Sequence, residues 1–289
     1  MANTVTYSQV FDSVLQSRLN LPQTWKDVCE VRISDTRVIN SSYESTQPSV
    51  QSVTRGTAFA IQDFAQTNNT LTISTGRDLA TYSDWADLGQ SPWTTGAEQF
   101  KRIGNRLNEF VETQFLGDHA SWTDFGLASI GGGGAATDPI TVSASNIDDI
   151  IRGVKREIRE NNAEELANER GRCFIWRAAD FEYLEAFVQA NGFTSADSAL
   201  KEGTAPGLRY MASDHYYSNG HTANHVFAGV KKVMMIGLLR TTYGRAHTIE
   251  FPAGASNNNL SGVAWYSRLD MGVLTPGGHS TATFDINVA

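Results

Sequence analysis

Asp214, His215, His221 and His225 are the densest group of possible metal ligands in the chain. On a helix, the spacing of His221 and His225 would set two imidazoles on one face, as a zinc site requires. The residues around them argue for a turn instead. Asn219 and Gly220 precede the pair, no glutamate separates the two histidines, and no further ligand follows at the spacing of a known zinc motif. Asp214 is the one nearby carboxylate that could orient a ligating imidazole. We read the tract as a loop whose histidines serve a surface or an interface, and expect no catalytic residue, no metal and no cofactor. A metal-dependent hydrolase using His215, His221 and His225 is the alternative.

Other routes to catalysis find no better footing. There is no Gly-x-Ser-x-Gly elbow, and Cys29 and Cys173 stand alone without a CxxC partner. Cys173 precedes Phe174, Ile175 and Trp176, the setting of a buried strand thiol. Glu164 and Glu165 sit among Arg159, Glu160, Glu169 and Arg170, a solvated helix end and not an acid/base pair. The glycines 131–134 are followed by Ala135, Ala136, Thr137, Asp138 and Pro139, so no phosphate-binding Gly-Lys-Ser/Thr is completed. Trp85, Trp93, Trp122, Trp176 and Trp265 are scattered, which suits core packing better than a stacking platform.

The elements that would hold these residues change character along the chain. Tyr7, Val10, Phe11, Val14 and Leu15 fall at helical spacing, and Pro22 closes that helix. Partial alternation from Val28 to Ile39 predicts an extended segment. Asn40 to Asn69 is rich in Ser, Thr, Gln and Gly, with Val50, Val53, Phe59, Ile61 and Phe64 at loosely strand-like spacing. Its length and composition predict a two-stranded ribbon, marginal by itself. Thr70 to Ser74 reads as its return strand, and Tyr82, Trp85 and Trp93 as an aromatic corner.

Thr95 and Glu98 form a capping box ahead of Phe100, Ile103, Leu107, Phe110, Val111 and Phe115, the apolar stripe of a helix about 30 Å long that ends at Gly117. Arg102, Asn105, Arg106, Asn108 and Glu109 take its wetter face. Gly117 to Ser143 reads as a hinge loop. Ser145 with Asp148 predicts the cap of a helix carrying Ile147, Ile150, Ile151, Val154 and Ile158. A strand at Cys173–Trp176, a helix at Asp180–Asn191 and a strand at Leu208–Ala212 follow. Val226 to Leu239 is apolar but split by Lys231 and Lys232, and its pattern does not choose between helix and strand. Ser261 to Val288 reads as strands broken by Pro276, Gly277 and Gly278.

Composition closes off whole classes of function. With 40% hydrophobic residues in 289, the chain is globular. A net charge of -8 disfavours a broad electrostatic grip on nucleic acid. The longest apolar run, Val233 to Leu239, falls far short of the roughly 20 residues of a bilayer span. Met1 to Leu15 has no basic start or apolar core of a signal peptide, so synthesis in a cytosol is expected.

The order of elements resembles that of the major capsid proteins of tailed bacteriophages, the HK97-like fold. The resemblance is carried by Leu71 to Ser91, similar to the strand and acidic turn before the long helix of such proteins, by Gly171 to Leu184, similar to their strand followed by a helix, and by Glu202 to Ser213, similar to the next turn and strand. It implies an α+β fold with an N-terminal arm over 1–25, a strand and extended E-loop with its return over 26–93, and a peripheral domain with spine helix and hinge over 94–145. An α/β axial domain over 146–245 and C-terminal strands over 246–289 returning to the peripheral domain complete it.

By the same resemblance, the chain is expected to assemble with itself, as pentamers and hexamers, into an icosahedral shell enclosing double-stranded DNA without reading its sequence. The E-loop residues Val50, Val53, Arg55, Phe59, Ile61 and Phe64 would contact neighbouring subunits. A separate scaffolding protein and a portal would act during assembly in the host cytoplasm, the product being a virion. The E-loop has Arg55 but no lysine, so the isopeptide weld of some relatives is not expected. A tail-tube or decoration protein is the other virion reading.

Overall fold

The computed structural model describes residues 21–46, 50, 52, 55, 65–84, 96–191, 207–251 and 262–289. The expected helix Tyr7–Leu15, the capping residue Thr95, and Trp85 and Trp93 lie outside them. In chain order come α1 (Trp25–Val28), β1 (Glu30–Ser34), β2 (Val38–Thr46), β3 (Ala65–Thr72), β4 (Thr75–Asp84) and the long α2 (Gly96–Leu116). Then follow β5 (Thr123–Phe125), α3 (Ile147–Glu160), α4 (Glu164–Arg170), β6 (Arg172–Trp176) and α5 (Ala178–Ala190). The remainder is β7 (Gly207–Tyr210), β8 (Ser213–Tyr217), β9 (His225–Val230), β10 (Met235–Leu239), β11 (Ala246–Phe251), β12 (Gly262–Leu274) and β13 (Thr283–Asn287).

A six-stranded sheet runs in the order β5-β13-β9-β6-β8-β7. Both of its faces are covered, so its central strands are buried on both sides, as in β6, where every residue is buried. Phe174, Trp176, Val226, Ala228, Val230, Phe284 and Ile286 face α3 and α5, and the α3 stripe Ile147, Ile150, Ile151, Val154 and Ile158 is fully buried there. The alternate residues Cys173, Ile175, Tyr216 and Phe227 face the other way, onto α2.

A second sheet is built around β12. Residues Gly262 to Met271 pair antiparallel with β4, while the opposite edge of β12 pairs first with β11 and then with β10. β1 adds to β10 in parallel. The stripe Ile103, Leu107, Val111, Phe115 and Leu116 of α2 fills the space between the two sheets, packed with Trp25, Ile236, Leu238, Trp265, Leu269 and Met271. The apolar run 226–239 is therefore two strands in two different sheets, β9 and β10. Lys231 and Lys232 make the crossing, and Lys232 carries a φ of 59°. Its ammonium donates to the carbonyls of Lys26 (2.9 Å) and Cys29 (2.7 Å), satisfying the end of α1.

Three local expectations change. The N-cap of α3 is Asn146, not Ser145; the Asn146 Oδ1 accepts from the Ser143 amide at 2.8 Å, and Asp148 instead takes the Tyr210 hydroxyl at 3.1 Å. Glu109, expected on the wet face of α2, is 7% exposed and paired with Arg106 at 2.7 Å. Phe110 stands half-buried at the margin of the stripe, with the Arg77 guanidinium 5.2 Å from its ring. Sheet membership also cuts across the expected divisions. β10, within 146–245, belongs to the sheet of β4 and β12, and β13, within 246–289, belongs to the sheet of β6 and β9.

Candidate assembly surface

β2 and β3 pair only with each other, from Val38↔Thr72 to Glu44↔Gln66, with a bulge between Glu44 and Thr46. The base of this ribbon is fixed to the body. Leu71 and Ile73 are each 1% exposed, and they reach the second sheet where it is glycine: a Cβ on Gly237 would stand 2.9 Å from the Leu71 side chain, and one on Gly272 2.2 Å from the Thr72 carbonyl oxygen. Further out, the Gly277 amide donates to Asn69 Oδ1 at 3.3 Å. The Tyr43 ring lies against Gly278, where a Cβ would come within 2.5 Å of it. Beyond this support the ribbon is solvated, with Gln66, Thr67 and Asn68 exposed.

Of the expected intersubunit residues, Val50 is fully exposed and Arg55 is an exposed turn residue. Val53, Phe59, Ile61 and Phe64 lie outside the described residues. An exposed two-stranded ribbon has unpaired edges and little stability of its own. A surface of that kind is suited to cover by another chain.

A second feature fixes Leu21 to Trp25 against the body. Two glutamates of α2 hold it. Glu112 is fully buried and accepts from Thr24 Oγ1 at 2.5 Å and from the Trp25 amide at 3.0 Å, satisfying the start of α1. Glu109 accepts from the Leu21 amide at 3.3 Å. Burial pushes the Glu112 carboxyl up to about 7, against the opposing pull of these hydrogen bonds.

The histidines do not form the constellation that a hydrolase would need. His215 is wholly buried on the α3 side of its sheet, stacked on Phe174, accepting from Trp176 Nε1 at 3.1 Å and with Nε2 3.2 Å from the Tyr210 carbonyl oxygen. Burial lowers its pKa to about 4. Burial likewise lowers His221 to about 4. His225 opens β9 and faces the other side of the sheet, where it meets His119 and Asp285. Neither partner was among the candidates read from sequence, because they lie in a short 3-10 turn and in the last strand, far from His225 along the chain.

No protein-family profile matches the sequence, and no curated protein matches it. Solved structures do. A structure from Mycobacterium phage Che8 superposes with a TM-score of 0.66 at 12% identity, covering 99% of this chain and 98% of its own. The capsid of the cyanophage P-SCSP1u gives 0.67 at 11% identity over 98% and 93% of the two chains, and the mature capsid of bacteriophage PhiM1 0.62 at 12% over 98% and 92%. The chain has the HK97-like α+β fold of these structures.

Proposed function

We propose that the chain is a major capsid protein, a structural subunit that assembles with itself into the shell of a tailed phage and has no substrate. The observation carrying this reading is the end-to-end likeness to capsid structures, over nearly all of this chain and more than nine-tenths of theirs. The ribbon β2–β3, with its exposed edges, is then the E-loop, and its outer residues, Val50, Val53, Arg55, Phe59, Ile61 and Phe64, contact the next subunit. α2 is the spine helix. The sheet of β4, β10 and β12 supplies the peripheral part, and the sheet of β6, β8 and β9 with α3 and α5 the axial part. No helix among the described residues is long and apolar enough to cross a membrane. A virion location follows from the same reading, with packaged DNA enclosed and a scaffolding protein and portal as assembly partners.

Negative-stain microscopy with analytical ultracentrifugation of the concentrated protein tests the proposal. Rings of five or six subunits, or closed shells, are expected. A monodisperse monomer at every concentration would refute it.

A further inference from the structure

Among the described residues, one place brings three metal-ligating side chains together. Ligand atoms of His119, His225 and Asp285 all lie within 4.8 Å of one another. The topology accounts for the meeting. In the antiparallel pairing of β13 with β9, Asp285 stands opposite Phe227 and Asn287 opposite His225, so Asp285 and His225 are diagonal neighbours on one face. His119 arrives from the 3-10 turn His119–Ser121, just after α2 and just before β5, the strand paired with β13 on its other side.

The three side chains meet at the Asp285 carboxylate. Asp285 Oδ2 is 2.7 Å from His225 Nδ1 and 3.7 Å from His119 Nδ1, so two imidazole nitrogens converge on one carboxylate oxygen. The two rings are parallel to within 16°, with centroids 3.6 Å apart. An independent sign comes from the other carboxylate oxygen. Asp285 is 2% exposed, yet its Oδ1 is buried with no hydrogen-bond partner. A buried acceptor left unpaired is costly unless something supplies the missing positive partner. Asp124, exposed and opposite Asp285 in the β5–β13 pairing, adds a second carboxylate at the same edge.

The geometry points to a divalent-cation site of the zinc class formed by His119, His225 and Asp285. Two imidazoles and a carboxylate are the donor set of zinc and its late first-row neighbours. Binding releases to solvent the proton held between His225 Nδ1 and Asp285 Oδ2, puts the ion in its place, and widens that gap by less than about 1 Å. His119 and His225 each have a side chain about one-quarter exposed, which leaves a path for the ion to enter. The bound ion would clasp the end of α2 to β9 and to the last strand of the chain, reinforcing the packing of α2 on the six-stranded sheet without depending on the capsid reading.

The test uses full-length protein, stripped with EDTA and dialysed, then titrated with zinc chloride in a calorimeter. One equivalent of zinc is expected, with a rise in thermal midpoint. His119→Gln and His225→Gln should each weaken binding at least tenfold. Cobalt(II) should give the visible absorption of a tetrahedral site in wild type and lose it in both variants. Circular dichroism of the variants keeps folding separate from binding; His119→Gln changes a surface-reaching turn residue and should melt cooperatively. Absence of saturable uptake by wild type, or uptake unchanged in both folded variants, would overturn the inference.

Discussion

The six-stranded sheet and the β2–β3 ribbon are both β-structure, yet they obtain their stability in opposite ways. The sheet is sandwiched between α3 and α5 on one face and α2 on the other, so its inner strands are buried on both sides and hold one another in register. The ribbon has a single partner per strand and is anchored through its base, by Leu71, Ile73, Asn69 and Tyr43. A strand buried on both faces is committed to its own subunit. A strand exposed on both faces is free to be committed to another.

That contrast predicts a graded response to mutation. The largest effect should follow Ile151→Asp, which puts a carboxylate at a fully buried position of α3. An unpaired buried charge costs several kcal/mol, comparable with the whole margin of about 5–15 kcal/mol. Soluble protein should be lost; wild-type yield with a normal melt would show that this core tolerates what the argument forbids.

Next is Glu112, whose folded-state pKa lies above its unfolded value, at about 7. Its contribution is fully present below about 4.5 and is lost as pH rises through about 7, by about 3 kcal/mol at full ionisation. The difference in melting temperature between wild type and Glu112→Gln, followed from pH 5 to 8, should therefore move in favour of the variant as pH rises. A difference independent of pH would show that the carboxyl does not titrate in this window.

Lys232→Met should cost less, about 1–2 kcal/mol, because it removes two charged hydrogen bonds to the carbonyls of Lys26 and Cys29 but keeps the apolar stem. Urea titration measures it, and an unchanged midpoint would mean that water replaces the ammonium at no cost. The smallest effect on folding should come from removing residues 45–66 and joining the ribbon with a short turn. The melt should stay cooperative and within a few degrees of wild type, while rings or shells disappear from the micrographs. Loss of the cooperative transition would move the ribbon into the subunit's own core and erase the contrast.

Much of the framework was legible along the chain. The stripes of α2 and α3 were readable because a helix buried on one side repeats its apolar residues at 3.6-residue spacing. The strand β6 was readable because Phe174, Ile175 and Trp176 run together behind Cys173. Val226 to Leu239 was not, since burial on both faces erases the alternation that distinguishes strand from helix; two lysines marked the break, and only the separate sheets that receive β9 and β10 decided its meaning. The start of α3 was misplaced by one residue because Ser145 and Asn146 are both good caps, and the choice between them rests on the amide that Ser143 presents.

The candidate sites divide along the same line. Sequence composition by itself determined that Asn40 to Asn69 is poor in core-forming residues, because a charge-poor, Ser- and Thr-rich tract cannot bury enough apolar surface to hold itself. It also determined that the histidines of 215–225 lack a local metal motif. Tertiary structure alone decided that His215 belongs to a core and His225 to a cluster with Asp285, 60 residues away, and His119. It also decided that Glu112 is buried, because its hydrogen-bond donors come from Thr24 and Trp25, 88 and 87 residues earlier. Local pattern records which face of an element is apolar; which distant side chain will meet a polar group on that face is set by the pairing of strands and the path of the chain between them.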